Sequence, residues 1–221
     1  MIHNVRIVKK EWLSHNVIRF GLERPGGFEH SIGQAVEVEL DIGGTIKKTA
    51  PFTLTNLPDS EYLELIIKIY PEKRGFTYAI SKKKEGDVLC ITDPWDSYQY
   101  HGKGTFIAAG SGITPFIPML EQLKKDGDSN GHKLIYANKC EKDIILKDEL
   151  EELLGRHFYN ILSEQSNTGY SLGRIDIEYL KVRIVDMEQY FYVCGPESFS
   201  DKIKAYLITL GVHQDKIQIG Y

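Results

Sequence analysis

Thr105-Phe106-Ile107-Ala108-Ala109-Gly110-Ser111-Gly112-Ile113-Thr114-Pro115 is the stretch on which the fold turns. Thr105 to Ala109 is a short apolar strand, and Pro115 sets the first turn of a helix predicted over 115–125. Between them, two glycines let the chain turn sharply or let its backbone approach a ligand. A strand that runs through such a turn into a helix offers unpaired N–H groups to a pyrophosphate. Gly-rich turns after strands are common, so the turn alone decides nothing, and Pro115 stands where the usual dinucleotide fingerprint has a third glycine.

Downstream, the rhythm continues as strand and helix in alternation. Strands are predicted at 132–138, 158–163, 190–194 and 216–219. Helices are predicted at 146–154, from Asp176, and at 197–210, with Gly155 and Gly211 as stops. Such spacing implies right-handed βαβ units, hence a five-stranded parallel sheet with helices on both faces. Ligands of such sheets sit at the carboxyl ends of the strands. Cys194-Gly195-Pro196 ends one of those strands, where Gly195 lets a flat ring lie close and Cys194 projects a small, soft side chain. A buried cysteine before a helix-start proline explains the same three residues without a ligand.

Upstream the period is two. Ala35 to Leu40 alternates apolar and acidic residues, and further β-type runs occupy 17–20, 46–55, 62–70 and 88–92. Turn signals separate them at Pro25-Gly26-Gly27, Ile42-Gly43-Gly44, 56–59 and Glu85-Gly86-Asp87. This half is expected to be an antiparallel six-stranded β-barrel with one short helix at 77–83. The expected division is 1–100 for the barrel and 104–221 for the α/β domain, a β plus α/β architecture.

Composition narrows the chemistry. The net charge of −4 gives no electrostatic case for nucleic acid. Three widely spaced cysteines, Cys90, Cys140 and Cys194, support neither a disulfide framework, a zinc site nor an iron–sulfur cluster, and reduced thiols suit a cytoplasmic protein. The most apolar window, 106–120, is too short to span a bilayer, so no membrane role is expected. The histidines lack metal-ligand spacing, and neither a nucleophile elbow nor a P-loop is present.

In the barrel half, Pro51-Phe52-Thr53 lies on a strand, where Phe52 is able to cover a planar ring and the Thr53 hydroxyl to bond a ring nitrogen or carbonyl. Taken alone, these residues are better accounted for by ordinary edge-strand composition. Gly75-Phe76-Thr77, beside Lys73 and Arg74, offers N–H groups, a hydroxyl and positive charge to a phosphate. The plain alternative is a Thr-containing helix start on a basic loop.

In order along the chain, these pieces resemble the ferredoxin/flavodoxin–NAD(P) reductase family. Ser31-Ile32-Gly33-Gln34 is similar to its Pro-Gly-Gln turn, Ala50 to Thr53 stands in place of its Arg-x-Tyr-Ser/Thr flavin motif, and Gly75 to Thr77 matches its phosphate turn. Gly86-Asp87 with Asp93-Pro94-Trp95 resembles the end of its barrel. Gly110 to Pro115 fits Gly-x-Gly-Ile-x-Pro, Tyr136 to Lys139 with 143–150 is similar to Tyr-Gly-Asn-Arg…Asp-Glu-Leu, and Cys194 to Pro196 is its nicotinamide-side motif. Several individually weak motifs in register over two domains make a specific signal.

The resemblance implies a flavin-dependent oxidoreductase that passes a hydride from NADH or NADPH to FAD, with FMN as the alternative flavin. Electrons then go to a carrier such as flavodoxin or ferredoxin, to an oxygenase component, or to free flavin. It implies flavin contacts from Pro51, Phe52, Thr53, Lys68, Gly75, Phe76 and Thr77. Nucleotide contacts fall to Gly110, Gly112, Ile113, Thr114, Asn138, Lys139, Ser163, Glu164, Cys194, Gly195 and Pro196. Thr53, Cys194 and Tyr221 take the catalytic positions, Tyr221 as a ring that stacks on the flavin and moves aside. Ala50 departs from the family arginine that pairs with flavin phosphates, so Lys68, Lys73 or Arg74 are the substitutes at hand. Glu164, where NADP-specific relatives carry arginine, favours NADH. Ala50 also supports a second class, a flavin- or nucleotide-binding module or electron-transfer subunit with reduced or lost redox activity.

Overall fold

The computed structural model describes residues 1–42, 46–166 and 169–220. The chain divides into two compact units, one of Met1–Gln99 with Ile117–Glu121 and the other of Tyr100–Phe116 with Gln122–Tyr221.

The first unit is built from β1 (Ile2–Ser14), β2 (Val17–Glu23), β3 (Gln34–Ile42), β4 (Ile46–Thr53), β5 (Tyr62–Lys68) and β6 (Val88–Thr92). They pair antiparallel in the order β4-β3-β6-β1-β2-β5, and the two-residue β7 (Trp95–Asp96) adds to β3. Just past β4, the Thr55 N–H donates to the Glu64 carbonyl on β5 at 2.9 Å, so the two ends of the strand path meet as a barrel requires. Inward residues from all six strands, among them Ile7, Phe20, Val38 and Leu65, form one apolar core, which α1 (Phe76–Ser81) covers with Ile80.

β1 has no counterpart among the runs read from the sequence. Its alternation breaks at Val8, where a bulge shifts the pairing with β2 between Ile7 and Lys9. The remaining strands begin or end within a few residues of the expected runs. That scatter is normal, since frayed ends carry no periodic signal.

The rest of the chain holds β8 (Gly104–Ala109), α2 (Phe116–Lys125), of which Ile117–Glu121 belong to the first unit, β9 (Lys133–Asn138), α3 (Lys147–Leu154), β10 (Phe158–Leu162), β11 (Ser171–Leu172), α4 (Ile177–Arg183), β12 (Tyr190–Cys194), α5 (Glu197–Thr209) and β13 (Ile217–Ile219). All strands are parallel, in the order β11-β10-β9-β8-β12-β13. Five are those expected, and the two-residue β11 adds a sixth at the edge. On one face Ile107, Ile135, Ile161 and Phe191 pack with Leu180 of α4 and with Ile203 and Leu207 of α5. On the other, the Phe106 ring lies 5.1 Å from Phe116 at the start of α2. The chain leaves β8 towards β9 on one side and returns through β12 on the other. The strand order therefore reverses at β8, and the carboxyl ends of β8 and β12 border the switch point.

The seam that closes the barrel rests on Glu64, which is 8% exposed. Its carboxylate accepts from the Thr55 hydroxyl at 2.9 Å and lies 3.4 Å from Arg19 Nε. Its N–H donates to Asn56 Oδ1 at 2.8 Å. Glu64→Ala is expected to lower the unfolding free energy by about 1–3 kcal/mol, because buried partners lose their bonds. Urea unfolding measures this, and a loss under about 0.5 kcal/mol, the scale of a neutral surface change, would show that the seam is held elsewhere.

Candidate functional site

On the barrel unit, β4 carries Pro51, Phe52 and Thr53. The strand pleat turns Phe52 away from the face that bears Pro51 and Thr53. Phe52 is half-buried against the barrel core, and its ring centroid lies 5.8 Å from that of Phe76. Thr53, opposite Ala35, is half-buried, and its hydroxyl makes no hydrogen bond among the described residues. Ala50 pairs with Val38 and brings no cation to this strand. Lys68 ends β5 opposite Val17.

Gly75 precedes α1 with no side-chain cap, and Arg74 before it is left-handed at φ 44°. Thr77 Oγ1 accepts the Tyr70 N–H at 3.3 Å, which leaves the hydroxyl proton to donate elsewhere. Among the described residues, the N–H groups of Gly75, Phe76 and Thr77 find no acceptor on the chain. Uncapped donors beside Lys73 and Arg74 suit a pyrophosphate, and Phe52 with Thr53 suits an aromatic ring bearing acceptors. The barrel residues therefore fit FAD, with Ala50 lacking the charge and Phe52 the phenol hydroxyl of the family motif.

On the α/β unit, the turn after β8 is a short 3-10 segment, Gly110–Ile113. Gly110 sits at φ 55°, and its carbonyl accepts from Tyr136 Oη at 2.7 Å. Ile113 is fully buried and anchors the turn. The Thr114 hydroxyl donates back to the Ser111 carbonyl at 3.0 Å, so its proton serves the turn. A Cβ on Gly112 would fall onto the Cys194 carbonyl and within 2.8 Å of Gly195 N. One on Gly195 would press on the Phe199 ring and lie 3.0 Å from Ala109 Cβ. These glycines are thus needed first for the two loops to cross at the switch point. Cys194 is half-buried at the end of β12, and Pro196 caps α5, where its carbonyl accepts from Phe199 N at 2.8 Å.

Further along the same carboxyl edge, Asn138 closes β9. It is 8% exposed, and neither side-chain amide atom has a partner. A buried amide with both ends unsatisfied is rare and costly in a folded chain, and at this edge it points to a ligand. The Ser163 N–H donates to the Asn138 carbonyl at 3.0 Å and the Glu164 N–H to the Lys139 carbonyl at 2.9 Å. Lys139 Nζ pairs with Glu164 at 3.0 Å, both exposed. The two side chains whose charges pull nucleotide choice in opposite directions therefore neutralise each other. Arg174, which the sequence reading passed over, follows β11 on this edge and is exposed. A two-residue strand has no period by which to find it. Tyr221 lies outside the described residues.

A cavity of about 730 Å³ lies at the opposite, amino-terminal end of β12 and β13, lined by residues that include Glu188, Tyr190, His213 and Lys216. It contains none of the edge residues. Among the described residues, no cluster of three or more His, Cys, Asp or Glu is placed to hold a metal, and no helix is long and apolar enough to cross a membrane.

Comparison with known proteins assigns a domain type to each half of the chain. Residues 4–100 match the oxidoreductase FAD-binding domain and residues 106–205 the oxidoreductase NAD-binding domain. NADH-cytochrome b5 reductase 2 of Gallus gallus is 29% identical over 233 residues, which span 86% of this chain and 76% of that protein. NADH-cytochrome b5 reductase 1 of Bos taurus is 26% identical across 99% of this chain and 82% of its own length. Among solved structures, the CS-b5R domains of human Ncb5or in the NAD+ form match with a TM-score of 0.89 at 26% identity, over 100% of this chain and 70% of that one. The cytochrome b5 reductase domain of Ulva prolifera nitrate reductase shares the fold, with a TM-score of 0.84 at 21% identity over 100% and 97% of the two chains.

Fold and site together define a two-domain NAD(P)H-dependent flavoprotein oxidoreductase. The chain belongs to the ferredoxin–NADP reductase-like family, with FAD as its flavin and a nicotinamide nucleotide as reductant.

Gly112→Ala tests the loop crossing. Without room for a methyl group, the variant is expected to lose about 1–3 kcal/mol of stability, the usual cost of overpacking. Denaturant unfolding reads the change, and a variant as stable as the parent would show that the loops part easily.

Proposed function

We propose that this chain is an NADH-preferring reductase that passes electrons singly to a protein carrier. The unpartnered Asn138 amide at the carboxyl edge carries the nucleotide part of this reading. When bound, FAD accepts a hydride equivalent from the nicotinamide and releases its electrons one at a time.

The chain's own residues divide the work. On the α/β unit, the turn at Gly110, Gly112, Ile113 and Thr114 receives the nucleotide pyrophosphate, while Asn138, Lys139, Ser163 and Glu164 hold the adenosine half. Cys194, Gly195 and Pro196 border the nicotinamide, and Gly195 presents a surface without a side chain to a flat ring. On the barrel, the uncapped N–H groups at Gly75, Phe76 and Thr77 receive the flavin pyrophosphate, with Lys68 as added charge. Pro51 and Phe52 border the ring system and exclude water, and the Thr53 hydroxyl donates to an acceptor atom on it.

NADH preference rests on Glu164. Its carboxylate accepts from a ribose diol and repels a 2′-phosphate, while its pairing with Lys139 occupies a nearby cation that would welcome that phosphate. Glu164→Arg is expected to move the kcat/KM ratio towards NADPH by about ten-fold or more. An unchanged ratio would remove Glu164 from the account.

For the acceptor, the relatives' names favour a cytochrome b5-type haem protein, with flavodoxin and ferredoxin as rivals. The barrel offers a basic patch around α1. Lys10 Nζ donates to the Ser81 and Lys83 carbonyls at 2.6 and 2.7 Å, and burial, then the Lys82 charge, pushes its pKa down. Positive potential concentrated in this way speeds encounter with an acidic carrier. Stopped-flow reduction of the three carriers by the FAD-loaded protein and NADH ranks them. Fast, salt-sensitive reduction of the haem protein supports the reading, and reduction of none would favour free flavin as acceptor.

Ala50 keeps the binding-module reading alive, because a charge-assisted phosphate contact contributes roughly 1.5–3 kcal/mol. Ala50→Arg is expected to tighten FAD binding by about ten- to hundred-fold. A visible spectrum with added FAD, then NADH under anaerobic conditions, separates the readings. Bleaching supports the reductase, and a chain indifferent to both supports the module.

A further inference from the structure

Between the nucleotide edge and α3 lies a side-chain cluster that the reaction itself does not use. Glu141 Oε1 accepts from Tyr170 Oη at 2.8 Å and from Lys147 Nζ at 2.8 Å. The Glu141 N–H donates to Gln165 Oε1 at 2.8 Å. One residue thus ties down the segment between β10 and β11 at both of its described ends, Gln165 on the near side and Tyr170 on the far side. Ser163 and Glu164 stand immediately before Gln165 and are bonded through their N–H groups to Asn138 and Lys139.

Lys147 is out of place by local rules. It is the first residue of α3, where the helix dipole disfavours a cation. Its Nζ is instead held by Glu141, with Glu151 at 3.8 Å and the Tyr170 ring centroid at 5.7 Å. The Glu141 contact holds the lysine well above its usual pKa, and burial raises that of Tyr170. Lys147 is therefore charged and Tyr170 a neutral donor across the working pH range. A lysine kept at an unfavourable position and locked in a bifurcated carboxylate contact serves the cluster rather than the helix.

We propose that Glu141, Lys147 and Tyr170 form a clasp that positions the adenosine edge of the nucleotide site, and that its loss weakens nucleotide binding without slowing hydride transfer. This rests on the assignment of Asn138, Lys139, Ser163 and Glu164 to the nucleotide. The three are positioning residues, and they act by fixing where Ser163 and Glu164 stand. A looser segment must be ordered when the nucleotide binds, and that cost falls on affinity.

The test uses the FAD-loaded protein, with ADP-ribose as a probe of the adenosine half and ferricyanide as electron acceptor. Tyr170→Phe and Glu141→Gln are each expected to raise the ADP-ribose Kd and the KM for NADH by roughly three- to tenfold, with kcat unchanged. Lys147→Arg should retain affinity, whereas Lys147→Met should lose it. Should Glu141→Gln fail to fold, Tyr170→Phe carries the same test by removing one hydroxyl. Unchanged ADP-ribose affinity in Tyr170→Phe and Lys147→Met, while Asn138→Ala weakens it, would overturn the clasp and leave the nucleotide site standing. Unchanged affinity in Asn138→Ala as well would overturn the site reading and the clasp with it. A fall in kcat matching the rise in KM would also overturn the clasp.

Discussion

The second unit depends on one backbone crossing, the passage of Gly112 over the Cys194 carbonyl. Parallel sheets leave an opening where strand order reverses, and here that opening lies between the ends of β8 and β12. With no side chain at 112, the two loops close on each other through main chain alone. Main-chain contact of this kind is stiff, since a backbone cannot change rotamer to relieve it. The buried Ile113 and the Tyr136 bond to the Gly110 carbonyl fix the first loop from below. Phe199 and Ala109 pack against Gly195 and fix the second. The groups that these loops present are thereby placed before any ligand arrives.

Several of the polar groups left unpaired among the described residues fall where ligands are proposed, although others, Asn160 Oδ1 and His157 Nδ1 among them, do not. Among the described residues, the Asn138 amide, the Thr53 hydroxyl and the N–H groups of Gly75, Phe76 and Thr77 have no protein partner. Where such a group is buried, it costs about 1–3 kcal/mol. A fold keeps such a cost only if something else satisfies it. Ligands that bind the native state alone return that stability by mass action. On the proposed reading, bound flavin would stabilise the fold in this way.

Both sheets were legible in the sequence because burial leaves a period. Ala35 to Leu40 alternates, and the runs that became β8, β9 and β12 are centred on unbroken apolar stretches, 106–109, 134–137 and 190–194. β1 was not, because its bulge at Val8 shifts the alternation by one residue. β11 was not, because two residues have no period. At the site, the glycines of 110–112 and 195 were visible but their first duty was not. They read as room for a ligand, whereas Gly112 and Gly195 make room for other parts of the chain. The ties of Glu141 to Gln165 and Tyr170 join residues 24 and 29 positions apart, and no local pattern encodes such a contact.

The charges at the nucleotide edge follow a consistent logic. Lys139 and Glu164 neutralise each other in the open, where solvent screening leaves an ion pair little energetic worth. On the proposed reading its value lies in specificity, since it withdraws a cation from the place where a 2′-phosphate would need one. The half-buried Glu141 and Lys147 pair lies further in, where water screens less and the Tyr170 hydroxyl gives the carboxylate a second donor. An exposed pair that selects and a shielded pair that holds are separate functions. They meet on one short segment because the segment bearing Glu164 has a single two-residue strand, β11, to anchor its far end. So short an edge strand cannot hold a specificity residue in register alone, and side-chain ties to the loop after β9 supply what the missing ladder bonds would have given.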